Sequence, residues 1–297
     1  MNVPTETSRA AGARAHDLRR RLLLPLLAGV VLTLAACSAG KEDPILRLSA
    51  QESLDQGKAL MAEEKYRSAK EYLVHAFEVE PNSTAGREGL LLAADSLFML
   101  GGFDQWVESE RRYRDFINRF PTSPRADYAQ FRAAQSLARR MEKPSRDQEV
   151  TRKAYSAFED LIRLYPTSQY IPEARTEMKG VRQLLAEHEW VVAFYYFRAS
   201  GGGKRSRRLA GPAVARMEYL LENFPDYEQK DKIYSYLCRA HARLEQPEKA
   251  AEACATLRQS YPESEYLNKL PKDLRNLQAP VAGAEAEPAA EASGQAR

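Results

Sequence analysis

The chain has 297 residues, 44% of them apolar and 29% charged, which suffices for a buried core in one or two domains. Its 15 glycines fall short of the ~21 expected at average usage, and its many Ala, Leu, Arg and Glu residues favour helix over a β-sandwich or barrel. The net charge of +3 resides in residues 1–36, and the neutral remainder lacks the basic surface that nucleic-acid binding requires.

The N-terminal segment is predicted to be a lipoprotein signal peptide. Three arginines at residues 19–21 precede an apolar run over residues 22–36, which is short for a bilayer span but typical of a signal-peptide core. The run ends in Leu-Ala-Ala before Cys37 and resembles the bacterial lipobox, whose cysteine is diacylated and becomes the first residue of the mature protein. The alternative is an ordinary signal peptide or a membrane anchor with an incidental cysteine.

We therefore expect residues 1–36 to be removed, Cys37 to carry the lipid and residues 37–47 to form a tether. Ser38 follows the cysteine, whereas an Asp there would suggest retention in the inner membrane in many Gram-negative bacteria. The expected location is the periplasmic face of the outer membrane, with the lipid chains supplying the membrane affinity.

Prolines recur at similar intervals in the middle of the chain. Five helix-like stretches each end in an aromatic or acidic residue followed by proline, and successive prolines lie 40, 45, 59 and 37 residues apart. Periods near this length predict helix-turn-helix repeats of the tetratricopeptide type. We therefore predict an all-α fold, an α-solenoid of about five such repeats. The prolines are Pro81, Pro121, Pro166, Pro225 and Pro262.

Small and large apolar residues recur 12, 8 and 5 positions before these prolines. An alanine at the first position lets the two helices of a repeat approach closely, while the larger residues fill the next layer. The second repeat has Ser109 there, and we predict that Trp106 occupies its tight position instead. The other repeats have Ala69, Leu73 and Ala76; Ala154, Phe158 and Leu161; Ala213, Met217 and Leu220; and Ala250, Cys254 and Leu257.

The remaining segments complete the expected organisation. Residues 172–199 are predicted to form one long helix that joins the N-terminal repeats, residues 48–171, to the C-terminal repeats, residues 172–277. The basic insertion at residues 201–208 could bind phosphate or lipid head groups, or be a solvated loop. Residues 278–297 have no aromatic residue and no apolar period, so we predict a disordered tail.

Little in the chain has the spacing of a catalytic or metal site. His188 and Glu189 begin like the zinc-protease motif HExxH, but Val192 stands where the second histidine would be, so the ligand pair is missing. A Gly-x-Ser-x-Gly elbow and a phosphate-binding loop are also missing from the sequence, and both would be needed for common hydrolase or nucleotide chemistry. We predict no metal, no cofactor and no enzymatic activity.

Two cysteines fall in the last predicted repeat. Cys238 and Cys254 would lie on its paired helices, and an oxidising periplasm would permit a disulfide between them. Both also occupy apolar periodic positions, where cysteine serves as a small hydrophobic residue. We favour two buried free thiols, while the disulfide stays open because sequence does not give the Cα separation.

An ordered series of residues resembles one family. The series begins with Ser145, Arg146 and Asp147, continues through the third repeat to the Tyr-Pro-Thr-Ser-Gln-Tyr run of residues 165–170, and ends in Val-Ala-Phe-Tyr-Tyr at residues 192–196. Together with the lipobox and the five repeats, this series resembles the BamD family, the tetratricopeptide lipoproteins of the outer-membrane β-barrel assembly machinery. The insertion at residues 201–208 is longer than is usual in that family.

The resemblance implies a non-catalytic scaffold that docks on the BamA-type barrel insertase. It also implies accessory assembly lipoproteins as partners, unfolded outer-membrane proteins as clients, and no nucleic acid. In the family, an arginine on the second helix of the fourth repeat pairs with an acidic residue of the insertase, and Arg216 is at the matching position. An alternative with the same architecture is a lipoprotein adaptor for periplasmic peptidoglycan enzymes or proteases.

The first helices of the N-terminal repeats would line a concave groove. The family is thought to read C-terminal signals of barrel proteins in this groove. The alternative is that its apolar members are interhelix core, since apolar periodicity does not separate the two cases. On the register set by Tyr66 and Phe103, the groove residues would be Leu54, Lys58, Met61, Leu91, Asp95 and Phe98.

Overall fold

The computed structural model describes residues 44–277 except residues 202 and 205, and every regular element in this part is helical. The predicted signal peptide, Cys37 and the predicted tail lie outside the described residues. The helices are α1 Ala50–Ala62, α2 Tyr66–Val79, α3 Thr84–Leu100, α4 Phe103–Arg119, α5 Ala126–Ala138, α6 Glu149–Leu164, α7 Ile171–Ala199, α8 Ala210–Asn223, α9 Lys230–Arg243, α10 Pro247–Ser260, α11 Glu265–Asn268 and α12 Lys272–Arg275, with short 3-10 helices at Pro44–Arg47 and Ser206–Leu209.

The ten helices α1 to α10 form five consecutive pairs, which confirms the all-α repeat prediction. Each second helix of a pair ends two residues before a proline, because the residue directly before a proline is disfavoured in the helical region. Phe120, for example, has φ −129° and ψ 58°, and Phe224 has φ −125° and ψ 63°. The proline spacing therefore marks the ends of α2, α4, α6, α8 and α10.

The alanines 12 positions before these prolines lie where two helices pack closely against each other. Ala69, Ala154 and Ala213 have no exposed surface, so a larger side chain there would overpack the crossing. The prediction for the second repeat is wrong, because Ser109 itself is fully buried and Trp106 is only half-buried. The Ser109 hydroxyl lies 3.0 Å from the Ser136 hydroxyl on α5, which satisfies both polar groups inside the contact.

The long helix α7 belongs to two hydrophobic clusters. Its first half contributes Val181 to the cluster of the third repeat, which contains Phe158 of α6. Its second half contributes Trp190 to the cluster formed with the C-terminal helices, which contains Met217 of α8. One continuous helix, as predicted for residues 172–199, therefore joins the two sets of repeats.

A polar clamp reinforces this junction. The Arg182 guanidinium on α7 binds the Asp226 carboxylate through Nε at 3.1 Å and Nη2 at 2.6 Å, and Nη2 also donates to the Asn223 carbonyl. The hydrogen bond from Arg182 holds the pKa of Asp226 below its usual value. The turn between α8 and α9 is thereby fixed to the middle of α7.

The two cysteines of the last repeat form a disulfide, so the preference for free thiols is wrong. Cys238 on α9 and Cys254 on α10 are joined with their Cα atoms 5.3 Å apart, within the range that a disulfide allows. Both residues are fully buried. The periodic pattern correctly placed them in the core, but it carried no information on their mutual distance.

The basic insertion is partly committed to contacts within the chain. Arg207 pairs with Glu245, just beyond α9, and Arg243 of α9 donates to the Phe197 carbonyl and the Ser200 hydroxyl at the end of α7.

Among the described residues, no helix combines the length and the apolar character that a bilayer span requires.

We expect the disulfide to stabilise the protein by restricting the unfolded chain. For a sequence separation of 16 residues, the chain-entropy argument gives about 3 kcal/mol. The measurement is thermal unfolding of the mature chain with and without reductant, beside the Cys238→Ala/Cys254→Ala double variant. Reductant should lower the melting temperature of the native chain and leave that of the double variant unchanged. Equal melting temperatures of the oxidised chain and the double variant would contradict this expectation.

Candidate docking surfaces

Arg216 lies on the solvent side of α8. Ala213, Met217 and Leu220 face the core and are fully buried, and this spacing leaves Arg216 outside the buried stripe. Its side chain is 48% exposed, and its Nη1 lies 2.7 Å from Oε2 of Glu189 on α7. The sequence indicated the exposure but not the ion pair, because the two residues are 27 positions apart.

Exposed aromatic side chains accompany Arg216 on the C-terminal repeats. Tyr219 is one turn further along α8 and 46% exposed, and its ring makes an edge contact with Phe224. Tyr195 on α7 is 70% exposed and makes an edge contact with the Tyr196 ring. Arginine and tyrosine are the residue types enriched at protein interfaces, so these exposed side chains are candidates for docking contacts.

The apolar residues predicted for the N-terminal groove are mostly interhelix core. Leu54 packs in the cluster of α1 and α2, while Leu91 and Phe98 pack in the cluster of α3, α4 and α5. All three are at least 92% buried. The expectation of an open apolar groove is therefore corrected for Leu54, Leu91 and Phe98, since apolar periodicity on a first helix reports contact with neighbouring helices as readily as a concave surface.

Asp95 is also a core residue rather than a groove residue. Its Oδ1 accepts hydrogen bonds from the hydroxyls of Tyr113 at 2.6 Å and Tyr128 at 2.9 Å. Burial raises the pKa of Asp95, while these hydrogen bonds and the nearby Arg132 oppose that rise. The Arg132 guanidinium lies 3.8 Å from the centroid of the Phe98 ring. This polar cluster ties α3, α4 and α5 together.

Lys58 and Met61 lie at the edge of the first repeats. Lys58 pairs with Glu88 of α3 at 2.8 Å, with both side chains partly exposed. Met61 is half-buried and packs against the cluster of α1 and α2. The six predicted groove residues therefore do not form one continuous open surface.

A cavity of about 500 Å³ lies close to the predicted groove, at the start of α3, the end of α4 and the loop that follows. Leu91 is the one predicted groove residue in its lining, and Phe116 and Phe120 add apolar surface beside it. The lining consists of Thr84, Arg87, Glu88, Leu91, Phe116, Arg119, Phe120, Pro121, Thr122, Ser123, Pro124 and Arg125.

Three arginines outnumber the one carboxylate, Glu88, in the lining of this cavity. Arg87 lies 5.8 Å from the centroid of the Phe120 ring, and Arg125 lies 4.8 Å from that of Tyr128. Neither has a carboxylate partner among the described residues, whereas Arg119 pairs with Asp115 at 2.8 Å. Guanidinium groups beside an apolar wall fit a ligand with a carboxylate and an apolar body. Apolar periodicity gives no signal for these arginines, because they come from two helix ends and a loop.

The HExx-like segment binds within the chain. The His188 Nδ1 lies 2.7 Å from the Pro144 carbonyl oxygen, and Glu189 is held by Arg216. In the part of the chain that the structure describes, no group of three His, Cys, Asp or Glu side chains could hold a metal ion.

Comparison with known proteins decides the family. A family model described as "YfiO: Outer membrane lipoprotein" matches residues 48–257. The chain belongs to this family. It is 26% identical to the outer membrane protein assembly factor BamD of Haemophilus influenzae, over 70% of this chain and 79% of that protein. It is 23% identical to the protein of the same name from Rickettsia prowazekii, over 86% of this chain and 98% of that protein.

The resemblance to BamD that the sequence analysis proposed is thereby confirmed. The family match covers α1 to α9 and most of α10, and so includes both the cavity and Arg216. Among solved structures, a thermophilic TPR protein of Thermus thermophilus is similar at a TM-score of 0.32 and 17% identity, covering 76% of this chain and 95% of that chain.

Proposed function

We propose that this family member is a lipid-anchored, non-catalytic assembly factor at the periplasmic face of the outer membrane. It docks on the BamA-type barrel insertase through Arg216 and helps to deliver unfolded outer-membrane proteins. The observation that carries the proposal is the family match over residues 48–257, which includes an exposed arginine at the position that the resemblance assigns to docking.

The disulfide supports export independently of the N-terminal segment. Disulfides form and persist in oxidising compartments such as the bacterial periplasm and are rare in the cytosol. The Cys238–Cys254 pair is therefore consistent with a chain that crosses the inner membrane. It also leaves Cys37 as the third cysteine of the sequence, available for the lipid.

The Cys37→Ala variant tests the anchor. Without the sulfur that carries the diacylglycerol, the membrane affinity of the lipid chains is lost. We expect this variant to lose palmitate labelling and to leave the outer-membrane fraction, whereas a Ser38→Ala variant should keep both. Labelling of the Cys37→Ala variant at the native level would refute lipidation at this residue.

Arg216→Glu tests docking. The substitution places two like charges together at the interface, and we expect it to cost at least ~2 kcal/mol of binding free energy. The measurement is isothermal titration calorimetry of the mature chain against the periplasmic domains of the insertase from the same bacterium. Arg67→Glu makes the same charge change at an exposed position of α2 and serves as the matched control.

A charge exchange sharpens the docking test. The Arg216→Glu chain should regain part of its affinity for an insertase whose acidic partner residue is replaced by Arg. Because Arg216 is on the surface, circular dichroism should show no change in helicity. Unchanged affinity of a folded Arg216→Glu variant would remove Arg216 from the interface.

The arginine-lined cavity between α3 and α4 is the proposed client site. Its cations would hold the terminal carboxylate of an extended chain, and its Phe120 and Pro121 wall would contact a terminal aromatic residue. This proposal replaces the continuous groove with a partly open cavity in the same repeats.

A peptide with a C-terminal aromatic residue provides the test of the client site. Fluorescence anisotropy should show about tenfold weaker binding when the peptide is amidated at its C-terminus, because a charged hydrogen bond is lost. Arg125→Glu should weaken the free-acid peptide to a similar extent, while Arg152→Glu, an exposed change on α6, should not. Equal binding of the free-acid and amidated peptides would exclude carboxylate recognition in this cavity.

A further inference from the structure

The guanidinium of Arg216 is only partly occupied in the free protein. A guanidinium carries five N–H donors on three nitrogens. Nη1 of Arg216 binds Oε2 of Glu189, and within the described residues its Nε and Nη2 make no hydrogen bond. The edge formed by Nε and Nη2 can donate two parallel hydrogen bonds to a single carboxylate. The ion pair therefore leaves a complete binding edge free.

From this geometry we infer that Glu189 is a positioning residue for docking. Its carboxylate fixes the Arg216 side chain before the partner arrives and stays bonded to Nη1 in the complex, while Nε and Nη2 take the partner's carboxylate. The inference rests on the proposed docking role of Arg216 and adds the residue that orients it.

The surroundings of Glu189 support a fixed contact. Its side chain is only 15% exposed, and it follows His188, which is itself tied to the Pro144 carbonyl. The next residue, Trp190, is buried in the C-terminal cluster. The backbone that carries Glu189 is thus held from two sides, so its carboxylate presents a defined position to Arg216.

Displacement of Glu189 by the partner's carboxylate would be unfavourable. Among the described residues, Arg216 is the one cation paired with Glu189. If the partner's carboxylate displaced Glu189 from Arg216, the largely buried Glu189 carboxylate would be left without a partner. A charge left in that state costs more than an ordinary hydrogen bond contributes. Sharing the guanidinium between two carboxylates avoids this cost, which favours positioning over competition.

Docking is favoured because the Arg216 side chain is already ordered in the free protein. An arginine immobilised only on binding loses rotamer freedom at that moment. Because Glu189 restricts Arg216 in the free protein, the Arg216 side chain loses its rotamer freedom during folding and not during docking. Removal of the Glu189 carboxylate should therefore weaken docking even though Glu189 does not itself touch the partner's carboxylate.

A double-mutant cycle with the periplasmic domains of the insertase tests this inference. Glu189→Ala should weaken docking about three- to tenfold, the equivalent of one newly immobilised side chain. The same substitution in an Arg216→Ala background should change affinity less than about twofold, since the residue to be positioned is gone. Glu189→Gln keeps an acceptor for Nη1 and should recover part of the loss.

Glu222→Ala is the matched control. Glu222 is an exposed glutamate on α8 with no ion pair among the described residues, and its removal changes the net charge by the same amount. Its docking affinity should equal that of the native chain. Circular dichroism and melting temperature accompany every variant, and only variants with native helicity enter the cycle.

The outcomes separate this inference from the proposed function. Tighter docking by Glu189→Ala would show that Glu189 competes with the partner, and equal losses in both Arg216 backgrounds would show that it acts without Arg216. Either result overturns the inference. It is also overturned if Glu189→Ala binds the insertase with native affinity while Arg216→Glu fails to dock. Native affinity of Arg216→Glu would instead overturn the proposed function.

Discussion

The continuity of α7 is the constraint on which the rest of the structure depends. Val181 and Trp190 lie on one helix but are buried in different clusters, so the two sets of repeats share a rigid element and are not joined by a flexible linker. The Arg182–Asp226 clamp adds a polar contact at the same place. Because α7 also carries Glu189, the orientation of Arg216 is fixed by the element that joins the two halves.

The fold could be predicted in detail because its signals are local. A proline after each second helix and an alanine 12 positions earlier express helix termination and close helix crossing, and both depend on residues near in sequence. Ala154 and Ala213 behave as this pattern predicts. The error at Trp106 has a local cause as well: a serine can fill a tight crossing when its hydroxyl finds a partner, here Ser136.

The functional surfaces were less accessible to sequence reasoning because they join distant residues. The Arg216–Glu189 pair and the Cys238–Cys254 disulfide require distances that a periodic pattern does not contain. In the N-terminal repeats the apolar pattern identified the right helices but not the side that faces solvent. Leu54, for example, was expected in an open groove and is in the core. The cavity uses arginines at helix ends and in a loop, where apolar periodicity gives no signal.

The position of the disulfide has a consequence for the way in which the array opens. In a linear repeat protein each terminal repeat has a neighbour on one side only, so opening begins at the ends. The last repeat is cross-linked between α9 and α10, and Leu270 and Leu274 cover its outer side. Fraying is therefore directed toward α1, the end next to the proposed lipid anchor. The repeats that carry Arg216 are thereby more constrained against opening than α1 and α2, so the molecule is mechanically asymmetric along its length.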